Sequence, residues 1–448
     1  MTDHGLFVLD IDRCTGCAAC VVACTNENEI VEGLGWRRIH TFNEQRLATA
    51  PVFHFTLACN HCLEPACLHN CPANAYTKDP STGAVLINRD SCIGCRYCAW
   101  VCPYEAPRYN SGAGIMEKCT FCEHRLSEDR PPACVIACPT EALSFERGDN
   151  PVSVHHPGFP DTGLRPAVRV TGSRRQNPPD MTAAPIAVNV MSPRSPVDWS
   201  GFKSEWSLWF FSSVGILLVA WFAAATVWNR AIPVPIFAGA GILAMAVSAL
   251  HLGRISRIWR AVLNVRRSWV SREVVLFSTF FAAACVGALR PEVTGWTRWI
   301  IAAVGFASLY AMDMVYRVRG QPVLTVPHSA MATLTAAFYI GILTASPVLL
   351  WPAATVKLVL YMARRDRPVP YGALLAPIRI GVGLFPAFAL AATGTVPIVV
   401  AMFGAVIGEL IDRAEFYAAL QFLTPTQQIE TDLAQQQRTP VEGLGLEV

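Results

Sequence analysis

The chain has 448 residues, room for two or three domains, and a formal net charge of only +3, too small a basic excess for a nucleic-acid partner. A positive mean hydropathy of +0.34 and 12 Trp point to a membrane protein rather than a soluble one. The averages hide a split: all 17 cysteines but Cys285 lie between Cys14 and Cys138, and nearly all the long apolar runs follow residue 205.

Taken in chain order, Met1 to Asp12 has no basic stretch followed by an apolar one. The expectation is a head that stays in the cytoplasm, or one exported on a partner's signal. Residues 1–147 are cysteine-rich. Short β-like runs, Phe7–Ile11 and Ala84–Asn88, each precede a cysteine quartet, an internal repeat of ferredoxin type.

The quartets are Cys14, Cys17, Cys20 and Cys24; Cys59, Cys62, Cys67 and Cys71; Cys92, Cys95, Cys98 and Cys102; and Cys119, Cys122, Cys134 and Cys138. Two-residue gaps let successive thiolates reach corners of one cubane. The last cysteine, three residues on, faces away and serves the neighbouring cluster. The second and third quartets have the compass of a small two-cluster ferredoxin and are expected to pair, leaving the first with the fourth. Disulfide scaffolds belong to short secreted chains. Four quartets closing with x3-Cys, three of them followed by Pro, are not a zinc pattern. A cysteine at position 98 argues for four cubanes rather than a three-iron cluster. His54, His61, His69 and His124 are expected to hydrogen-bond near the cysteines rather than ligate. Arg96 and Lys118 either tune cluster potential by charge or are solvated surface residues.

Residues 148–204, rich in Pro, Gly, Ser and Arg, are expected to be an extended linker. From 205 to 421 come eight apolar runs, about 206–228, 232–252, 273–289, 296–316, 328–344, 346–363, 374–393 and 396–420, each near the roughly 20 residues that cross a bilayer. Pro233, Pro327, Pro347 and Pro397 stand at helix starts. The polar tail, 422–448, is expected to fray. The fold class is therefore multidomain: an α+β ferredoxin-like four-cluster head, then an all-α eight-helix transmembrane bundle.

Only His251 and His328 occur after residue 200, both at expected helix ends, so no haem is expected. His251 can accept a proton from a quinol that loses two electrons and two protons; on spacing alone, an interfacial helix-capping histidine is the plainer reading. Glu409 with Arg413, and Asp313 with Arg317, are expected as intrahelical pairs. Glu205, Glu409 and Arg379 are further candidates for a quinol pocket or its proton exit. Cys285 reads as packing.

The four quartets, with Cys-Ile-Gly-Cys-Arg-Tyr-Cys at 92–98, resemble the iron–sulfur subunit of the dimethyl sulfoxide reductase family over about residues 5–170. Glu205-Trp206, His251-Leu-Gly253, Val326-Pro327 and Gly408-Glu-Leu-Ile-x-Arg-x-x-Phe-Tyr417 resemble that family's membrane anchor over about 205–420. The resemblance implies [4Fe–4S] clusters on Cys14/Cys17/Cys20/Cys138, Cys24/Cys119/Cys122/Cys134, Cys59/Cys62/Cys67/Cys102 and Cys71/Cys92/Cys95/Cys98. It also implies a separate molybdopterin catalytic subunit, an eight-helix anchor without haem, and His251 as the histidine of menaquinol oxidation. Two subunits would then be fused in one chain.

With eight helices, the loops on the termini's side carry Arg254, Arg257, Arg260, Arg266, Arg267, Arg272, Arg317, Arg319, Arg364, Arg365 and Arg367; the opposite loops carry Arg230, Arg290 and Arg298. The positive-inside rule places the head in the cytoplasm of a cell whose inner membrane holds the anchor. Family members that face the periplasm, exported with their catalytic subunit, argue the other way. The expected function is electron transfer from membrane quinol, menaquinol or ubiquinol, through four clusters to a catalytic subunit. The chain is not itself the substrate-reducing subunit. Dimethyl sulfoxide, nitrate, thiosulfate and polysulfide stay open as acceptors. The alternative is a quinone-reducing module fed by a soluble donor.

Overall fold

The computed structural model describes residues 4–43, 52–148, 162–172, 200–290, 295–317, 327–364 and 372–419, together with Ile429. Most of the expected linker 148–204, nearly all of the tail 422–448, Val326, and Arg319, Arg365 and Arg367 lie outside them. The chain divides into two compact units, one cysteine-rich and one helical.

In the first unit, β1 (His4–Asp10) is an apolar run buried along its centre. It pairs antiparallel with β8 (Leu143–Gly148), Phe7 opposite Phe145, and parallel with β9 (Val168–Thr171), Phe7 opposite Val168. Strand β9 lies inside the segment read as linker. Leu164, Ala167 and Val168 are buried, and the Ala167 amide donates to the Asn60 carbonyl at 2.7 Å. Apolar residues among prolines here complete a sheet edge, so this unit reaches at least residue 172. Antiparallel ribbons β2–β3 (Arg38–Phe42, Phe53–Leu57), β4–β5 (Tyr76–Lys78, Val85–Ile87) and β6–β7 (Arg108–Asn110, Ile115–Glu117) separate the cysteine loops. The buried ring of Phe121 packs edge-on against Phe7 at 5.0 Å and Phe145 at 5.4 Å.

Short helices follow the cysteine loops. Helix α1 (Ala19–Glu27) carries Cys20 and Cys24, four apart and both buried on one face. Helices α2 (Ala66–Asn70) and α3 (Tyr97–Trp100) carry Cys67 and Cys98; α4 is Glu123–Leu126, and α5 (Ala133–Ile136) carries Cys134. Helix α1 packs on α5 and α2 on α3.

In the second unit each of the eight expected apolar runs is helical: α6 (Ser200–Val227), α7 (Val234–Ala249), α8 (Trp269–Leu289), α9 (Trp296–Val315), α10 (Ala332–Leu343), α11 (Pro347–Arg364), α12 (Gly372–Ile378) continuing through a π turn (Arg379–Leu384) into α13 (Phe385–Thr393), and α14 (Ile398–Ala419). Among the described residues, four stretches are long and apolar enough to cross a membrane: Glu205–Val227, Trp269–Leu289, Trp296–Val315 and Leu375–Thr393. Helix α14 has the length but carries Glu409, Asp412, Arg413 and Glu415, all buried. Pro386 explains the π turn. It has no N–H for the Val382 carbonyl one turn earlier, and i→i−5 bonding passes over the missing donor.

Candidate functional site

The cysteine loops are shaped by backbone that ordinary residues avoid. Gly16 and Gly94 stand at φ +71° and +70°, and two residues on Ala18 and Arg96 stand at +62° and +59°. The same two-step left-handed pattern in both loops turns successive thiols inward, which makes the sequence repeat a geometric one. Gly16 is also held by contact: a Cβ there would sit 2.6 Å from the His54 ring. Backbone amides then aim at sulfur: Gly94 and Met116 at Cys92 (3.4 and 3.5 Å), Ala75 at Cys71 (3.4 Å) and Phe121 at Cys119 (3.5 Å). Such donors stabilise thiolate ligands and their clusters.

The sixteen head thiols gather in groups. One cavity is lined by Cys59, Cys62, Cys67 and Cys102, with His61 and Lys118 at its wall. Another is lined by Cys14, Cys17, Cys20 and Cys138. The Asn28 amide lies 3.9 Å from the sulfurs of both Cys24 and Cys122, whose neighbours are Cys134 and Cys119. Cys95 is neighboured by Cys71 and Cys92, and Cys98 by Cys95 and Cys71. Thiols that neighbour each other across groups, Cys20 with Cys134, Cys119 with Cys59 and Cys98 with Cys67, set the four groups in a row. Among the described residues no three His, Cys, Asp or Glu side chains converge on a single-ion site. Thiolates around a cubane bind different irons and stand farther apart than those around one zinc.

Burial dominates the chemistry of the most enclosed of these thiols. Desolvation, reinforced by neighbouring thiols, pushes Cys24, Cys95 and Cys102 up to about 12. The imidazole of His61 is fully buried, stacked 3.6 Å from Phe121, and accepts from the Val85 amide at 2.9 Å through Nδ1. Burial, then the Lys118 charge, hold it neutral, and its Nε2–H has no protein partner. A buried donor at the wall of a four-thiol cavity fits an iron–sulfur cluster, whose sulfides accept hydrogen bonds. Lys118 is 1% exposed, so it is no solvated surface residue. It donates to the carbonyls of Val85 and Cys119, the latter at 3.0 Å. Arg96 lies over the Tyr109 ring at 4.0 Å. His54, His69 and His124 are partnered by Thr41, Glu64 and Glu27.

Arg37 had no signal in the cysteine spacing. It is 2% exposed, donates to Thr56 Oγ1 at 3.1 Å, and lies 4.7 Å over the Phe7 ring. Its Nε and Nη2 have no protein partner. Although burial disfavours its charge, the thiols of Cys134, Cys119, Cys20 and Cys24 make it hold its proton more tightly than usual.

In the helical unit the candidate residues fall into two places. His251 stands in the turn closing α7, its Nδ1–H donating to the Ser248 carbonyl. An amphipathic 3₁₀ turn, Ile255–Val262, follows. Glu409 and Arg379 meet in a buried cluster elsewhere. Glu409 Oε2 accepts from Lys357 Nζ at 2.8 Å and Thr335 Oγ1 at 2.9 Å, and Oε1 is 3.8 Å from Arg379 Nη2. Arg379 pairs with Asp412, which accepts from Ser329 Oγ at 2.8 Å. Lys357, also unmarked by any motif, is completely buried. Glu205 is buried on α6, which Trp209 ties to the Leu410 carbonyl of α14 at 3.1 Å.

The two expected intrahelical pairs give way to partners on other elements. Arg413 donates to the Ala330 carbonyl at 2.9 Å. Asp313 accepts from the Ala332 and Thr333 amides at 2.6 and 3.1 Å and caps α10. Orphan amides and carbonyls at a buried helix end have no water to satisfy them, so they capture the nearest charge. His328 stacks on Phe416 at 4.1 Å, and Cys285 packs at the edge of the helical core.

Comparison with known proteins agrees with both halves. Residues 50–148 match the 4Fe-4S dicluster domain, and residues 205–367 match the DMSO reductase anchor subunit. Over 152 residues the sequence is 39% identical to a chain of the anaerobic dimethyl sulfoxide reductase of Escherichia coli K12, covering 32% of this protein and 73% of the relative. It is 36% identical over 192 residues to a subunit of the sulfite dehydrogenase of Allochromatium vinosum (38% and 76%). It is also 36% identical over 153 residues to the thiosulfate reductase electron transfer subunit of Salmonella typhi (33% and 79%).

Proposed function

Since this protein belongs to the family of dimethyl sulfoxide reductase iron–sulfur subunits and carries that family's anchor domain in the same polypeptide, we propose that it oxidises membrane quinol and passes the electrons to a separate molybdopterin-containing subunit. The observation that carries this reading is the row of four thiol groups. Each group has four cysteines, enough for one cubane, and supports the assignment of one cluster each to Cys14/Cys17/Cys20/Cys138, Cys24/Cys119/Cys122/Cys134, Cys59/Cys62/Cys67/Cys102 and Cys71/Cys92/Cys95/Cys98. [4Fe–4S] clusters in these sets supply one-electron steps between a two-electron donor and a two-electron acceptor.

The anchor crosses the inner membrane eight times in this reading and takes menaquinol or ubiquinol. The His251 imidazole, oriented through Nδ1, accepts a proton as quinol gives up its electrons. Glu205 and the Glu409–Arg379 cluster serve the pocket or the proton's exit. The likeness to a sulfite dehydrogenase component favours a second reading, in which electrons run from an oxidising catalytic subunit to quinone.

The anaerobically purified complex tests both parts. Its iron–sulfur component is expected to hold about sixteen irons and as many acid-labile sulfides. The His251→Ala variant keeps that iron content but its clusters are no longer reduced by a menaquinol analogue. About eight irons, or stoichiometric zinc, would refute the four-cluster reading. Normal reduction in the variant would return His251 to helix capping.

A further inference from the structure

We propose that Arg37 is the internal cation shared by the clusters of the first and fourth quartets, holding the reduction potentials of both above those of an uncharged pocket. The inference rests on the four-cluster reading and adds a residue that no cysteine motif marks.

Arginine is almost never fully buried without an anionic partner, because desolvating its charge is costly. At 2% exposure Arg37 is fully buried, and among the described residues no carboxylate pairs with it. Its protein contacts are weak ones for a charge: one hydroxyl, Thr56 Oγ1, the face of Phe7 and the Cys134 thiol. Nε and Nη2 are left over. The charge that answers it has to come from the sulfur side. Thr56 Oγ1, which receives one guanidinium N–H, is itself 3.6 Å from Cys20 Sγ, a ligand of one cluster. The other thiols acting on Arg37, Cys134, Cys119 and Cys24, all belong to the neighbouring cluster. Arg37 thus stands where the packing of α1 on α5 brings the two quartets together.

The consequence follows from charge alone. A cubane with four thiolates is an anion, and reduction adds one electron without a proton. A fixed cation stabilises the reduced form more than the oxidised one, so the potential rises. At 2% exposure the charge is shielded from bulk solvent, so the effect is poorly screened. One arginine placed between two clusters lifts both. Lys118 is the counterpart on the next cluster, where its charge acts on Cys67 and Cys102.

The test is a potentiometric titration of the anaerobic complex followed by EPR, with iron analysis alongside. Signals are assigned through Cys122→Ser and Cys95→Ser ligand variants. In Arg37→Gln, iron content is expected to stay at the wild-type level, with the clusters of the first and fourth quartets titrating at lower potential and the other two unmoved. Arg37→Lys, which keeps the charge, is expected to titrate near wild type. Unchanged potentials in iron-replete Arg37→Gln, an equal shift of all four clusters, or a shift in Arg37→Lys as large as in Arg37→Gln would each overturn the inference. If Arg37→Gln loses iron, a replete Arg37→Lys with wild-type potentials upholds it, and loss of iron from both variants overturns it in favour of packing. A low iron count in the unmutated protein would instead sink the four-cluster reading.

Discussion

Burial sets the chemistry of the cysteine thiols before any metal arrives. An ordinary thiol titrates near 9, whereas burial pushes Cys24, Cys95 and Cys102 up to about 12. Cluster assembly therefore has to displace protons from thiols that hold them firmly. Cys138 moves the other way: its partial burial is outweighed by amides at Leu143, Thr140 and Ala142, with the Thr140 hydroxyl, which lower it. Below pH 9 Cys24, Cys95 and Cys102 are protonated in folded and unfolded states alike, and pH has no leverage through them. Between 9 and 12 the unfolded state releases protons that the folded state keeps, so stability falls as pH rises. The iron-free full-length protein in detergent is expected to show a melting midpoint that declines from about pH 9 upward. The loaded protein, whose thiolates are already deprotonated on iron, should not follow it. A flat midpoint in the iron-free protein would contradict the burial argument.

Helices meet through their smallest residues where the charges are buried. On α14, Gly404 and Gly408 stand one turn apart and face the π turn. A Cβ on Gly404 would lie 2.2 Å from the Val382 carbonyl oxygen, and one on Gly408 would lie 2.6 Å from Gly383 Cα. Both obstacles are backbone and cannot swing aside. This close crossing is the small-residue packing of membrane helices, and it holds Arg379 against Asp412 and near Glu409. Gly408→Ala is therefore expected to cost about 1–3 kcal/mol, lowering the melting midpoint by about 2–4 °C per kcal/mol. Gly381, on the same π turn, has open space where its Cβ would go. Gly381→Ala is the control and should leave the midpoint within about a degree of wild type. Equal midpoints for the two variants would mean that the crossing is looser than its geometry.

The molecule as a whole carries a charge asymmetry that bears on its place in the membrane. If eight helices span, eleven arginines fall in the loops on the termini's side and three in the opposite loops. Loop arginines resist translocation, so such a distribution is costly to invert. Within the described residues Arg272 donates to the Val265 and Arg266 carbonyls at 2.9 and 2.7 Å and stacks on Trp269 at 4.2 Å. The charges in this corner are thus partly structural and would hold it together on either side. A fusion after Val448 decides the question. β-galactosidase fused there is expected to be active and alkaline phosphatase silent. The reverse pattern would put the head, and the reaction it feeds, in the periplasm.

The cofactor class and the two-part architecture were legible because both are written in local spacing. Cysteines at intervals of two and three residues pre-set cubane corners whatever the rest of the sequence does, and an apolar run of helical length needs no distant partner to declare itself. The association of first with fourth quartet and second with third also followed from spacing, and α1 on α5 and α2 on α3 carry it out. What sequence could not reveal depends on partners far away along the polypeptide. Arg37 is one of 36 Lys and Arg, and only the fold shows that it is buried beside cysteines 17 residues before it and 97 after it. Lys357 carries no motif, and only the fold brings it to Glu409; Glu409 and Asp313 chose partners on other elements over those four residues along. Strand β9 was hidden in a proline-rich stretch because parallel pairing to β1 leaves no local pattern. Spacing determines which chemistry the protein can hold; burial, which only tertiary structure confers, decides which charges that chemistry feels.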